Sequence, residues 1–232
     1  MISGGRLIAI EGIDGSGKRT QLKLLSHALE ARGIELMRIG FPRYESSFGK
    51  LVGQFLDGEF GPLEAVDPHF SALLYAGDRF EAKREMDFAL AKGKVIIADR
   101  YVASNLAHQT ARVPPDRRDE FVTWLKHVEY GIYGLRVEDL VIYLRVPVSE
   151  AQRMVGMKSR RAYTALQHDL LEADVTHLEQ AAAVYDRLST AANWVRIDCA
   201  DSSGDILPPD KIHRAVLDAV DSRIVLRAIA QP

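Results

Sequence analysis

The chain of 232 residues contains a single cysteine, Cys199, so no intrachain disulfide framework exists and no cluster of thiols can hold zinc. It also lacks a surplus of either charge: 30 basic side chains face 32 acidic ones, for a formal net charge of -2. A balanced surface has no global drive toward nucleic acid or an anionic membrane, so any anion site must be built locally. No apolar run approaches the ~18 residues of a membrane span. The apolar stretch near the start, Leu7–Ile10, is too short for the core of a signal peptide. A soluble, cytoplasmic protein is therefore expected, with no nucleic-acid partner. Repeats and low-complexity segments are missing as well. Apolar residues at 47% and charged residues at 27% are ordinary for a globular chain, and the length suits one domain over residues 1–232.

Five short apolar runs are present: Leu7–Ile10, Leu36–Ile39, Val95–Ala98, Leu140–Val146 and Trp194–Ile197. They are largely continuous rather than alternating, which predicts strands of a parallel sheet covered on both faces. Helical patterns lie between them. One passes through Leu22, Leu25 and Leu29 and stops at Gly33. Another starts at Asp67-Pro68, an N-cap followed by proline, and runs to about Lys92. Ser149 is expected to cap a helix after the fourth strand, and a further helix is expected from about Glu172 to Ala192. Pro114-Pro115-Asp116 and residues 201–209 read as loops. Strands alternating with helices predict an open α/β sheet wound on both sides.

The most specific motif is Gly12-Ile13-Asp14-Gly15-Ser16-Gly17-Lys18, a G-x-x-x-x-G-K pattern directly after the first strand and opening a helix. Random placement of this composition yields about 0.05 such matches, so chance does not explain it. Glycines let backbone N–H groups converge on phosphate oxygens, the helix start adds partial positive charge, and Lys18 adds a full one. Gly12, Asp14, Gly15, Ser16, Gly17, Lys18, Arg19 and Thr20 are the nucleotide-binding candidates. Arg19 stands where Ser or Thr ordinarily reaches Mg²⁺, and Thr20, one place on, is turned about 100° around the helix. Any Mg²⁺ is then expected on the phosphates and on a carboxylate through water. Asp99 closes the third strand, where ligands of such sheets gather, and is the candidate for that role. Arg100 beside it is suited to clamp a phosphate. Lys158, Arg160 and Arg161 lie in a stretch without apolar periodicity. Such a cluster is ordinarily a solvated loop, but near a phosphate site its arginines are candidates for a closing lid.

Several of these pieces together resemble the thymidylate kinase family. They are the loop Glu11–Gln21, Phe41-Pro42-Arg43-Tyr44, Leu74-Tyr75-Ala76-Gly77-Asp78-Arg79, Asp99-Arg100-Tyr101-Val102-Ala103-Ser104-Asn105, and Asp169–Asp174 with Tyr185. The resemblance spans residues 7 to about 188. It implies a P-loop-type open sheet of about five strands with helices on both faces and a small lid at about 155–170. It also implies transfer of the γ-phosphoryl group of ATP to dTMP with Mg²⁺, in a cytoplasmic homodimer. Site roles follow from it in the same way. Tyr75 would stack on thymine and Arg79 would bond the base edge. Arg43 and Arg100 would hold the acceptor phosphate, with Phe41 beside them. Asp14 would contact the sugar 3′-hydroxyl, and Ser104 and Asn105 would line the base pocket. His108 would lie near the sugar 2′ position. Because position 15 is glycine, Arg160 or Arg161 would be the lid arginine, acting with Lys18 and Arg100. The alternatives are a kinase for another nucleotide or nucleoside, and a nucleotide-binding switch. The N-K-x-D signature of a GTPase is missing, and Asp201-Ser202-Ser203-Gly204 lies too far from the loop to serve as a switch.

Overall fold

The computed structural model describes residues 4–156 and 175–224. Five parallel strands form one sheet: β1 (Arg6–Glu11), β2 (Leu36–Gly40), β3 (Val95–Asp99), β4 (Leu140–Arg145) and β5 (Trp194–Asp198). Their order is β2-β3-β1-β4-β5, and each coincides with one of the expected apolar runs. In a strand, successive side chains face opposite sides. Ile8 and Ile10 accordingly join a core with Leu25, Leu29, Val216 and Val220. Leu7 and Ala9 join another with Ala82, Met86, Phe121 and Leu125.

The helices are α1 (Lys18–Ala31), α2 (Ser47–Leu56), α3 (Pro68–Ala91), α4 (Val102–Ala111), α5 (Arg118–Lys126), α6 (Val148–Gly156), α7 (Val175–Leu188) and α8 (Pro209–Arg223). Helix α3 begins as its sequence dictates: the Asp67 carboxylate accepts from the His69 N–H at 2.7 Å, and Pro68 occupies the first turn. Helix α1 ends before Gly33, which takes a left-handed φ of 74°. Two expectations shift. Ser149 lies inside the first turn of α6 rather than ahead of it, since that helix already starts at Val148. Helix α7 ends at Leu188, short of Ala192, because the chain turns there into β5.

The register aligns the carboxyl ends of the strands. Ile10 and Gly40 both pair with Asp99, and Glu11 pairs with Tyr143. From β1 the chain crosses outward to β2, returns to β3, and then continues on the far side at β4. The sheet therefore reverses direction around β1, and the crevice at this switch point is where such folds hold ligands. The loop following β1 opens into it.

Candidate active site

The loop between β1 and α1 carries Gly12, Gly15 and Gly17 with φ of 143°, 86° and 87°. These values favour glycine. Space adds a second requirement at Gly15, where a Cβ would stand 2.1 Å from the Ala151 carbonyl oxygen of α6. Lys18 is buried at the start of α1 and donates to the carbonyls of Gly12 (3.0 Å) and Ile13 (2.9 Å). Burial lowers its ammonium from 10.5 to about 8. Arg100 acts in the same direction, while Asp14, Asp99 and Glu11 oppose it. Bound phosphates would add negative charge and favour the ammonium. The Ser16 hydroxyl is buried with no hydrogen-bond partner. Arg19 and Thr20 are exposed on the outer side of the first turn, so their side chains stand apart from the buried Ser16 and Lys18.

Arg100 is the hub of the other half of the site. Its guanidinium donates to the Asp14 carboxylate at 2.6 Å, the Ser104 hydroxyl at 3.1 Å and the Gly12 carbonyl at 3.3 Å, with His108 Nε2 at 3.5 Å. Asp14, Ser104, His108 and Arg100 are thus brought together against the loop. Because Arg100 can only donate, His108 Nε2 is the acceptor, and its Nδ1–H then faces His177 Nε2 at 3.3 Å. Burial, Arg100 and then His177 hold His108 well below the usual histidine range. Asp99 closes β3 half-exposed, and its carboxylate makes no hydrogen bond to a described residue. No cluster of three metal-ligating side chains occurs among the described residues.

Next to this lies a pair of ion pairs on consecutive residues of α3. Buried Asp78 accepts from the Arg43 backbone (2.7 Å), from Arg43 Nε (3.1 Å) and from the Ser46 hydroxyl (2.7 Å). Arg43 remains a quarter exposed and keeps access to an incoming anion. Arg79 is fully buried and bonds Glu129 through Nε (2.9 Å) and Nη2. Its guanidinium is therefore held in a fixed position. Asn105 shares the same carboxylate, donating to Glu129 Oε1 at 2.8 Å and to the Ala72 carbonyl at 3.0 Å. Tyr75 is half-buried on α3, with Phe55 edge-on at 6.4 Å. Phe41 and Tyr101 pack on each other at 5.9 Å within the core, so Phe41 supports the site from beneath.

Arg160 and Arg161, with the expected lid, lie outside the described residues. Four residues were missed by sequence reading: Glu11, Asp78, Glu129 and Gln109. Each is a polar side chain buried by a partner far along the chain, which local pattern does not reveal. Glu11 and Asp78 did stand inside the motifs that carry the resemblance.

A phosphate loop at the switch point of a five-stranded parallel sheet, faced by arginines on the next strand end, defines a P-loop nucleotide-binding protein of the α/β class. A family model described as thymidylate kinase matches residues 10–207. Thymidylate kinase of Mycobacterium tuberculosis is 33% identical over 213 residues, covering 88% of this chain and 98% of that protein. A probable thymidylate kinase of Thermococcus gammatolerans is 36% identical over 160 residues, covering 67% and 72%. In fold, the chain is similar to a solved thymidylate kinase of Candida albicans, with a TM-score of 0.74 at 21% identity, covering 94% and 92%. The chain belongs to the thymidylate kinase family.

Proposed function

We propose that the chain transfers the γ-phosphoryl group of ATP to dTMP, giving dTDP and ADP. An oxygen of the acceptor phosphate attacks the γ-phosphorus in line, and the bond to the β-phosphate bridging oxygen breaks. Such chemistry asks the protein for positioning and charge rather than covalent help. The loop N–H groups and Lys18 hold the ATP phosphates, and Arg100 with Arg43 holds the acceptor phosphate. Tyr75 lies beneath the base, and Asp14 lies near the sugar. The half-exposed, unshared carboxylate of Asp99 fits a hydrated Mg²⁺, which when bound neutralises charge on the phosphate oxygens. Arg19 has no hydroxyl to offer, and Thr20 carries its own on the exposed side of the helix, one place further round.

The observation that carries the choice of acceptor is the state of Asn105. Both its amide hydrogens are spent, on Ala72 and Glu129, which fixes Oδ1 as a buried acceptor without a partner. One turn on along α4, Gln109 shows the complement. Its oxygen accepts from Ser71 and Arg112, both at 2.8 Å, and its Nε2 is buried without a partner. Unmatched buried polar atoms are costly. A base with an N3–H donor beside a carbonyl acceptor carries the groups that would complement the two, and thymine and uracil have that pair. Cytosine offers an acceptor at N3 instead.

The test is an ADP-release assay with ATP, Mg²⁺ and a panel of dTMP, dUMP, dCMP, UMP and AMP. dTMP is expected to be turned over best, with dUMP behind it. A site built to pair a donor rejects an analogue lacking it strongly, so dCMP is expected to lose at least about 100-fold in kcat/KM. Comparable rates with dCMP or AMP would overturn the assignment. A cytoplasmic homodimer belongs to the same reading. It is supported by large apolar side chains on one face of α3 (Phe70, Leu73, Phe80 and Phe88, all exposed) and by the fact that no described helix is long and apolar enough to cross a membrane.

A further inference from the structure

Glu11, the last residue of β1, is completely buried. A carboxylate at that depth persists only with donors around it, and three converge on it. The Tyr101 N–H reaches Oε1 at 2.6 Å. The Ser104 hydroxyl reaches Oε2 at 2.5 Å and the Tyr185 hydroxyl reaches it at 2.9 Å. They come from the start of α4 and from α7, so one side chain ties the phosphate loop's strand to both helices.

What it holds is unusual. Tyr101 follows Arg100, and Arg100 has φ 68°, the left-handed region that residues with a Cβ avoid. Among the described residues other than glycine, Arg100 alone has positive φ. The Arg100 N–H bonds the Ile10 carbonyl at 3.1 Å, and the next N–H bonds Glu11. Two consecutive residues of β1 therefore grip the chain on either side of the disfavoured φ. Disfavoured backbone survives where its surroundings over-determine it, and such places cluster at functional sites. The guanidinium is fixed by the same carboxylate at one remove, since Ser104 Oγ donates to Glu11 while accepting from Arg100 Nη1.

We propose that Glu11 is a positioning residue for phosphoryl transfer, holding Arg100 in its left-handed backbone and aiming its guanidinium, through Ser104, at the acceptor phosphate. This rests on the reading of Arg100 as an acceptor-phosphate arginine. Glu11 itself touches neither substrate and moves no proton. Its effect therefore runs through Arg100 and falls on the acceptor side of the reaction.

The experiment is a double-mutant cycle in the full chain with E11Q and R100A, scored by kcat and by separate KM values for dTMP and ATP. Glutamine keeps the shape and can still accept from Tyr101, so the fold is expected to hold. Its amide cannot accept from the hydroxyls of both Ser104 and Tyr185. E11Q is expected to lower kcat/KM for dTMP by about tenfold or more and to leave the KM for ATP within about twofold. In the R100A background the same substitution is expected to change kcat/KM by less than about twofold, because residues acting through one another are not additive. Equal effects of E11Q in both backgrounds would overturn the proposal, as would an unchanged kcat/KM for dTMP. If melting shows that E11Q does not fold, S104A in the same cycle removes the link to the guanidinium together with one donor to Glu11, and additivity with R100A there sinks the proposal equally. Should the wild-type chain prefer another acceptor, the dTMP assignment falls, and the cycle run with that acceptor still judges Glu11.

Discussion

Burial acts on Glu138 and His108 in opposite directions along the pH axis. Glu138 lies at 4% exposure just ahead of β4. It accepts from the Tyr130 hydroxyl at 2.7 Å through one oxygen, and the other oxygen has no partner. Burial raises its carboxyl from 4.5 to about 7, against the bonds from its own backbone and Tyr130 and with help from Glu11 and Glu129. A carboxyl whose folded value is raised binds more protons folded than unfolded. Its contribution to stability is complete below about 4.5 and is lost as pH rises through about 7. His108 is depressed instead, so its share is present above about 6.5 and lost as pH falls. Glu138→Gln removes the first effect without changing shape. It is expected to raise the urea midpoint at pH 8, by up to about 3 kcal/mol in unfolding free energy, and to leave it nearly unchanged at pH 4. A variant with no gain at pH 8 would mean that Glu138 is solvated in the folded chain.

At the scale of elements, the placement of Arg43, proposed to hold the acceptor phosphate, depends on how α2 is laid against α3. Ser46 caps α2 by accepting from the Gly49 N–H at 2.9 Å and at the same time donates to Asp78 on α3. Gly49 lets this happen, since a Cβ there would lie 1.8 Å from the Arg43 carbonyl oxygen. Gly77 does the same from α3, where a Cβ would meet the Phe48 ring at 2.4 Å. Backbone cannot yield as a flexible side chain does. Gly49→Ala is therefore expected to destabilise the fold by about 1–3 kcal/mol and to raise the KM for dTMP several-fold by moving Arg43, with the KM for ATP unchanged. Thermal melts and steady-state kinetics check both, and an unaltered KM for dTMP would separate Arg43 from the acceptor. This kind of packing explains what the sequence made legible. Strands β1, β3 and β4 were readable because a strand buried on both faces must be apolar throughout, the partly exposed edge strands β2 and β5 from short apolar runs, and α3 because Asp67-Pro68 acts locally. Lys18, Arg100 and Ser104 were readable from motifs. Helices α2, α4, α5 and α8 were not picked out. In α4 all ten residues are buried, polar ones included, so no apolar stripe marks it. Glu129 was illegible for another reason. Its meaning comes from Arg79, 50 residues away, and from Asn105, 24 residues away.

For the whole molecule, α3 joins the active site to an outer surface. Its 24 residues span about 36 Å. One side presents Tyr75, Asp78 and Arg79 to the site. Another exposes Phe70, Leu73, Phe80 and Phe88, at 47%, 37%, 49% and 65%. At 100° per residue these four fall within a sector of about 80°, which the exposed Arg84 shares, so they lie on one face of the helix. Phe60 and Tyr133 extend it, packing on Phe70 at 5.8 Å and on Phe80 at 4.9 Å. Large apolar side chains exposed on one face fit an interaction site, and a second copy related by twofold symmetry would lay face on face. The wild-type chain is expected to sediment at twice its chain mass. Phe80→Asp with Phe88→Asp is expected to return it to the monomer, since a charge buried at such a contact without a partner is not tolerated. The kinetic consequence follows from what α3 carries. The monomer loses support along the helix that fixes Tyr75, Asp78 and Arg79, while the loop holding Lys18 lies on β1 and α1. A raised KM for dTMP beside an unchanged KM for ATP is therefore expected of the double variant. Sedimentation at the monomer mass by the wild-type chain at micromolar concentration would remove the dimer, and a monomeric variant with wild-type kinetics would show that α3 keeps its site unaided.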